Sequence, residues 1–285
     1  MKKLAFLYLF SVALISGLFG QKTAQLQYAF KDFDGLFISS GYDVYVEKGD
    51  NYSITITVSA EHADKVNASV SNGILTLGGG SGMKNIKKLK AYITMPRLSS
   101  VTLSSGCDLV GNGVFISEKF RANLSSGCDM NLNIRTGKAD ITTSSGCDVN
   151  MNIEATDLKL QLASGCDAKL TGKAVNATVT TSSGCDVKMN METSNLSMNL
   201  SSGCSAKLTG KAVKASFTTS SGCDIDAKDF PADHVTITVS SGCSVKVHAE
   251  KTLSATASNA SNITYSGDPV ITSNLSGSST LKKRK

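Results

Sequence analysis

Eight cysteines offer the most chemistry in this chain, and their spacing is regular. They stand at 107, 128, 147, 166, 185, 204, 223 and 243, separated by 21, 19, 19, 19, 19, 19 and 20 residues. Each closes a Ser-Gly-Cys string. Six are followed by aspartate, at Asp108, Asp129, Asp148, Asp167, Asp186 and Asp224, and the other two by Ser205 and Ser244. Such a thiol row could form disulfides, bind a soft metal, react as thiolates, or supply small buried side chains to a tight corner. The aspartate row could hold calcium or accept hydrogen bonds from its own turn.

Which of these applies depends on the elements that carry the rows. Within each unit the apolar period is two: Val149, Met151 and Ile153 alternate with Asn150 and Asn152, and Leu158, Leu160 and Leu162 with Lys159 and Gln161. That is the period of a strand with one buried face. A second period of 38 overlies the first, since residues 164–176 and 202–214 match at eleven of thirteen positions. A nineteen-residue unit cannot bury its own face, whereas stacked copies can. The expected fold is all-β, a parallel β-helix (β-solenoid) with about 19 residues per coil. Thr171-Gly172-Lys173 and Thr209-Gly210-Lys211 mark corners. Continuing the alternation through one unit puts Val175, Ala177, Val179, Thr181, Ser183, Cys185, Val187 and Met189 inward. The cysteines then face the core and the aspartates face solvent.

In such a stack, successive cysteine Cα atoms lie about 4.8 Å apart, inside the disulfide range. Cys107 could pair with Cys128, Cys147 with Cys166, Cys185 with Cys204 and Cys223 with Cys243, or the pairing could take the other phase. Directly stacked side chains run parallel, however, which is a poor approach for a disulfide. Weaker copies of the motif also put Tyr42, Ala260 and Ser278 in the cysteine slot. The favoured reading is a structural column of buried free thiols, with no metal and no cofactor. For the aspartates, Ser205 and Ser244 interrupt the row and no nine-residue calcium repeat is present, so acceptance from the local turn is favoured. The pairs Thr142-Thr143, Thr180-Thr181 and Thr218-Thr219 send one threonine inward each, unlike the flat array an ice-binding solenoid needs.

Little supports catalysis. His62, His234 and His248 are scattered, and the repeats leave no room for the loops of a polysaccharide-cleaving solenoid. No basic stripe with interleaved aromatics points to nucleic acid.

The remaining segments bound the organisation. Residues 1–20 read as a signal peptide: Lys2 and Lys3, then an apolar run from Leu4 to Phe19, with a cut expected after Gly20. No later stretch is long and apolar enough to span a membrane as a helix. Removing Lys2 and Lys3 from 29 basic residues leaves 27 against 23 acidic, a net +4, which is too mild to dictate a partner. Residues 21–98 are expected to form an N-terminal β region of first coils and cap, with 83–90 as a polar loop or edge. Residues 99–281 form the repeat solenoid and 282–285 a basic tail.

Three stretches resemble a known family, the putative auto-transporter adhesin, head GIN domain proteins. One runs from Phe33 through Gly35-Leu36-Phe37-Ile38-Ser39-Ser40-Gly41-Tyr42-Asp43-Val44 to Lys48-Gly49. Another is Met95-Pro96-Arg97-Leu98 leading into Val101 and the first Ser-Gly-Cys-Asp. The third is Tyr265-Ser266-Gly267-Asp268-Pro269 through Leu275-Ser276-Gly277-Ser278. The resemblance implies a β-helical fold and export to the envelope, and it brings no catalytic residues. The chain departs from the family in its cysteines, where Ala, Ser or Gly is more usual. The expected function is an exported, non-enzymatic, adhesin-like module presenting a repetitive polar surface to envelope glycan or protein. A purely structural envelope protein is the alternative, and a polysaccharide-active enzyme a distant one.

Overall fold

The computed structural model describes residues 11–15 (backbone only), 22–79 and 89–284. Most of the expected signal peptide, most of the segment 83–90, and Lys285 lie outside the described residues.

The repeats form eight long strands: β10 (Asp108–Ser125), β11 (Asp129–Ser144), β12 (Asp148–Ala163), β13 (Asp167–Ser182), β14 (Asp186–Ser201), β15 (Ser205–Ser220), β16 (Asp224–Val239) and β17 (Ser244–Ala257). Each lies parallel on the next, in unbroken register from β11 to β15, Asp148 on Asp167 and Leu160 on Val179 for example, and with bulges between β10 and β11, β15 and β16, and β16 and β17. The solenoid read from the nineteen-residue period is therefore the fold.

Each coil has two arms. In β12 the first arm buries Val149, Met151 and Ile153, and the second buries Leu158, Leu160 and Leu162. One corner lies between the arms at residues 154–157, and the Ser-Gly-Cys turn closes the other end. Like residues stack on like, so apolar columns run the length of the core. Burying side chains of this size stabilises by about 1.5–3 kcal/mol each, an upper figure because the unfolded chain already hides some surface.

The strict alternation fails at both corners. Ala174 and Ala177 are both buried although three residues apart, so the phase slips and Val175 turns outward, 47% exposed. Ser183 is exposed as well, because it sits on the turn. Both had been expected inside; a corner resets the face and an apolar letter does not.

The N-terminal part begins with β1 (Ser11–Ile15), β2 (Thr23–Tyr28), β3 (Gly35–Ser39), β4 (Asp43–Lys48) and β5 (Ser53–Ser59). A 3-10 turn (Ala60–Lys65), β6 (Val66–Ser71), β7 (Ile74–Gly79), β8 (Lys90–Met95) and β9 (Ser100–Ser104) follow. Here β4 lies parallel on β10, and β3 lies parallel on β9, which continues onto β10. Beyond them the pairing turns antiparallel: β5 on β8, β2 on β5, β1 on β2, and β6 on β7. Switching direction ends the coil template on this side, a way of managing an open edge. Phe33 fills the cap, its ring 4.8 Å from that of Tyr52. At the other end β18 (Asn262–Ser266), β19 (Val270–Leu275) and β20 (Thr280–Lys283) continue the stack. Lys282 and Lys283, read as tail, thus belong to a strand. Among the described residues no helix is long and apolar enough to cross a membrane.

Candidate functional site

The Ser-Gly-Cys corner is built from two successive residues with left-handed backbone. Ser145 has φ 61° and Gly146 φ 70°, and every cysteine unit repeats this pair within a few degrees. This is the sign pattern of the tight turns that match the twist of flanking strands. A Cβ on Gly146 would meet nothing within 4 Å, so glycine is needed there for its conformation, not for space.

The turn leaves backbone groups to satisfy, and from Cys107 to Cys223 each thiol satisfies two of them. Cys147 donates its S–H to the carbonyl of Ser144 at 3.0 Å, and its sulfur accepts the N–H of Cys128 at 3.3 Å. Cys185 does the same with Ser182 (3.1 Å) and Cys166 (3.4 Å). Flanking groups continue the coil-to-coil ladder, Gly146 N–H to Ser164 O and Asp148 N–H to Cys128 O. All eight cysteines are free and buried. The column is one of hydrogen-bonded thiols, and neither phase of disulfide pairing is formed. Among the described residues no group of three or more His, Cys, Asp or Glu is arranged to hold a metal.

The slot's other occupants follow from the same bonds. Tyr42 occupies it at the N-terminal end, fully buried, with its N–H on Cys107 Sγ at 3.4 Å. Towards the C-terminus the occupants are not Ala260 and Ser278 but their neighbours. Asn259 and Ala260 take the two left-handed positions, as do Gly277 and Ser278, so Ser261 and Ser279 enter the slot. Ser261 Oγ donates to Ser258 O at 2.9 Å, and Ser261 N–H reaches Ser279 Oγ at 3.2 Å. Between them, these two hydroxyls repeat the thiol's donated and accepted bonds. The strand register, with Ser244 on Asn262 on Thr280, identifies these occupants, whereas the position of the glycine does not.

Burial pushes the thiols of Cys147, Cys185 and Cys223 up, which suits a structural column. Cys107, at the column's end, is lowered to about 7 by the hydrogen bond from the Cys128 thiol, helped by the Tyr42 N–H. Cys128 is raised, first by its hydrogen bond to the Cys107 thiol and then by burial.

The aspartates Asp108, Asp129, Asp148, Asp167, Asp186 and Asp224 form an exposed column outside the turn, as expected. For Asp108, Asp167 and Asp186 the hydrogen-bond partner lies on the next coil and not in the residue's own turn. Ser205 Oγ donates to Asp186 Oδ1 from the next rung. Asp108 is raised by burial and then by Asp129 and Asp43, with the Asp129 N–H opposing. Asp167 is raised in the same way, with Asp148 and Asp186 as its neighbours. Ser205 and Ser244 therefore interrupt a repulsive row.

A feature not read from the sequence lies at the opposite corner. Arg135, Glu154, Lys173, Glu192 and Lys211 stack in register with alternating sign. Arg135 Nε lies 2.8 Å from Glu154, Lys173 Nζ 3.6 Å from Glu154, and Lys211 Nζ 3.3 Å from Glu192. They edge a shallow groove of about 480 Å³ beside Thr136, Ala174 and Thr193. The nineteen-residue spacing of these charges was visible in the sequence. Glu154 lies below the usual carboxylate range because Arg135 bonds it.

The histidines do not converge. His62 bonds Ser59 at 2.8 Å, His234 bonds Thr252 at 3.0 Å, and His248 bonds Glu250 at 3.0 Å, on three different elements.

A family model described as "Putative auto-transporter adhesin, head GIN domain" matches residues 32–187 and 153–269. No curated protein matches the chain. Among solved structures, a putative adhesin from Parabacteroides merdae ATCC 43184 is similar at 18% identity and TM-score 0.55, covering 92% of this chain and 96% of that one. Another putative adhesin, from Parabacteroides distasonis ATCC 8503, is similar at 17% identity and TM-score 0.56, covering 92% and 97%. At these identities the likeness concerns the fold.

Proposed function

The chain belongs to the putative auto-transporter adhesin, head GIN domain family, and from that membership we propose that it is an exported, non-enzymatic, adhesin-like binding module of the cell envelope. The observation that carries the reading is the unbroken stack. From β11 to β15 every coil follows the last in register with no inserted loop, so the outer faces are regular columns of side chains. A surface of that kind binds by repetition, many weak contacts adding along one rigid axis. Its partner is an extended envelope glycan or protein. Export follows from the basic and apolar character of residues 1–20. Their removal would also take away β1 and leave β2 as the outermost cap strand.

Fractionation of producing cells combined with a retention assay tests this. The expected result is a chain outside the cytoplasm that starts near Gln21. The purified mature chain should bind isolated envelopes saturably. A full-length cytoplasmic chain, or no saturable binding, would refute the reading.

A further inference from the structure

The two arms of the coils carry very different outer faces. On the first arm of β13–β17 the outward residues include Asp167, Lys169, Asp186, Lys188, Lys207 and Lys246. On the second arm the outward middle column is Thr180, Asn199, Thr218, Thr238, Thr256 and Asn274, in continuous register from β13 to β19. Two positions before each of these stands only Thr or Ser, and two positions after each only Ser. Three columns over six coils therefore contain no charge, in a chain with 52 charged residues, 29 basic and 23 acidic. The uncharged region stops where Lys159 and Asp140 enter the column before the middle one, on β12 and β11.

This face is a lattice of hydroxyl and amide groups. Rungs lie about 4.8 Å apart, and outward side chains along a strand about 6.8 Å apart. Among the described residues, only Ser201 and Ser276 of these eighteen direct their hydroxyls to a carbonyl of the protein, Thr181 O and Ala257 O. Among the described residues, the side chains of the other sixteen make no hydrogen bond to the protein. Inward residues of the same strands, Val179, Met198 and Phe217, anchor the face to the core and keep it rigid.

We propose that this uncharged face is the ligand-binding surface, and that its ligand is a neutral, polyhydroxylated glycan lying along the rod. The inference rests on the adhesin-like reading and names its partner class. A charged polymer would have to shed its counter-charges and water against a surface offering no opposite charge. A neutral polyol exchanges water hydrogen bonds for equivalent ones with Ser, Thr and Asn, and it loses little by doing so. No aromatic residue stands in the eighteen positions, so single-site affinity is weak and binding depends on length.

The test is affinity electrophoresis of the purified chain in gels containing a mannan, a dextran, a β-glucan or polygalacturonate. The chain is compared with a Thr218→Lys/Thr238→Lys double variant and a Lys188→Gln control. The expected result is retardation by at least one neutral polymer with little salt dependence. The double variant should lose about tenfold in apparent affinity at unchanged melting temperature, since an unpaired charge would then sit in the interface. Lys188→Gln should bind as the parent does. Three outcomes overturn the proposal: retardation only by polygalacturonate with steep salt dependence, no retardation by any neutral polymer, or conversion of a self-associated chain to monomer by the double variant. Saturable envelope binding that the double variant retains would sink this assignment while leaving the adhesin-like reading intact.

Discussion

Replacing Cys185 separates a hydrogen-bonding thiol from a merely small apolar side chain. In the parent, Cys185 supplies the donor for Ser182 O at 3.1 Å and the acceptor for Cys166 N–H at 3.4 Å. Cys185→Ala removes both. The Cys166 N–H is then left buried without a partner, at about 1–3 kcal/mol, while the Ser182 carbonyl costs less because it still accepts the Ser164 N–H at 3.2 Å. A small void where the sulfur was brings the total to about 2–4 kcal/mol. Cys185→Ser keeps a donor and an acceptor in the slot, as further along the column Ser261 Oγ donates to Ser258 O and Ser279 Oγ accepts from Ser261 N–H, and should cost about 1 kcal/mol for the shorter side chain. The order is therefore serine above alanine, the reverse of what holds for a free cysteine that acts as a small hydrophobe. At about 2–4 °C per kcal/mol for a domain of this size, the alanine variant should melt roughly 4–16 °C below the parent and the serine variant within about 4 °C of it. Coils of a repeat protein can open locally, so hydrogen exchange at the Cys166 amide is the sharper readout. Its protection should fall in the alanine variant and persist in the serine variant. Alanine at least as stable as serine, with Cys166 protection unchanged, would refute the argument.

Other perturbations follow from the same geometry. Thr181 buries a hydroxyl with no partner among the described residues, so Thr181→Val should stabilise by about 1 kcal/mol, read as a melting temperature raised by roughly 2–4 °C. Gly146→Ala meets only the cost of left-handed backbone, about 1–2 kcal/mol, whereas a Cβ on Gly172 would lie 2.1 Å from Ile153 O; in parallel denaturation curves Gly172→Ala should be clearly the worse. Asp108 and Asp167 are raised, so between the ordinary aspartate value near 4 and their own the folded chain holds more protons than the unfolded one. Their contribution to stability therefore grows as pH falls through that window and is lost as pH rises. Asp108→Asn/Asp167→Asn should flatten that part of a stability-against-pH profile and raise stability at neutral pH.

The fold was legible because the code was redundant. A nineteen-residue period, a two-residue apolar alternation and a turn motif in every unit all demand that matching residues stack, and ladder partners such as Asp148 and Asp167 do stack. The buried cysteines and exposed aspartates followed from the strand period alone, since neighbours on a strand face opposite ways. Corners were less legible. Nothing in the letters of Val175 distinguishes it from Val179, yet one is outside and the other inside, because the chain bends between Ala174 and Ala177. Ser261 and Ser279 were misplaced by one residue for a related reason: left-handed backbone there is carried by Asn259, Ala260 and Ser278, which do not announce it as glycine does.

By itself, then, the sequence determined the stack, its period and which side chains share a column, because these depend only on repetition and on local strand geometry. Hydrogen bonding of the thiols, the alternating ladder from Arg135 to Lys211 and the uncharged face around Thr218 were decided by the tertiary structure. Each depends on contacts between neighbouring coils, residues about nineteen positions apart, and their meeting depends on where the corners fall and how successive coils align.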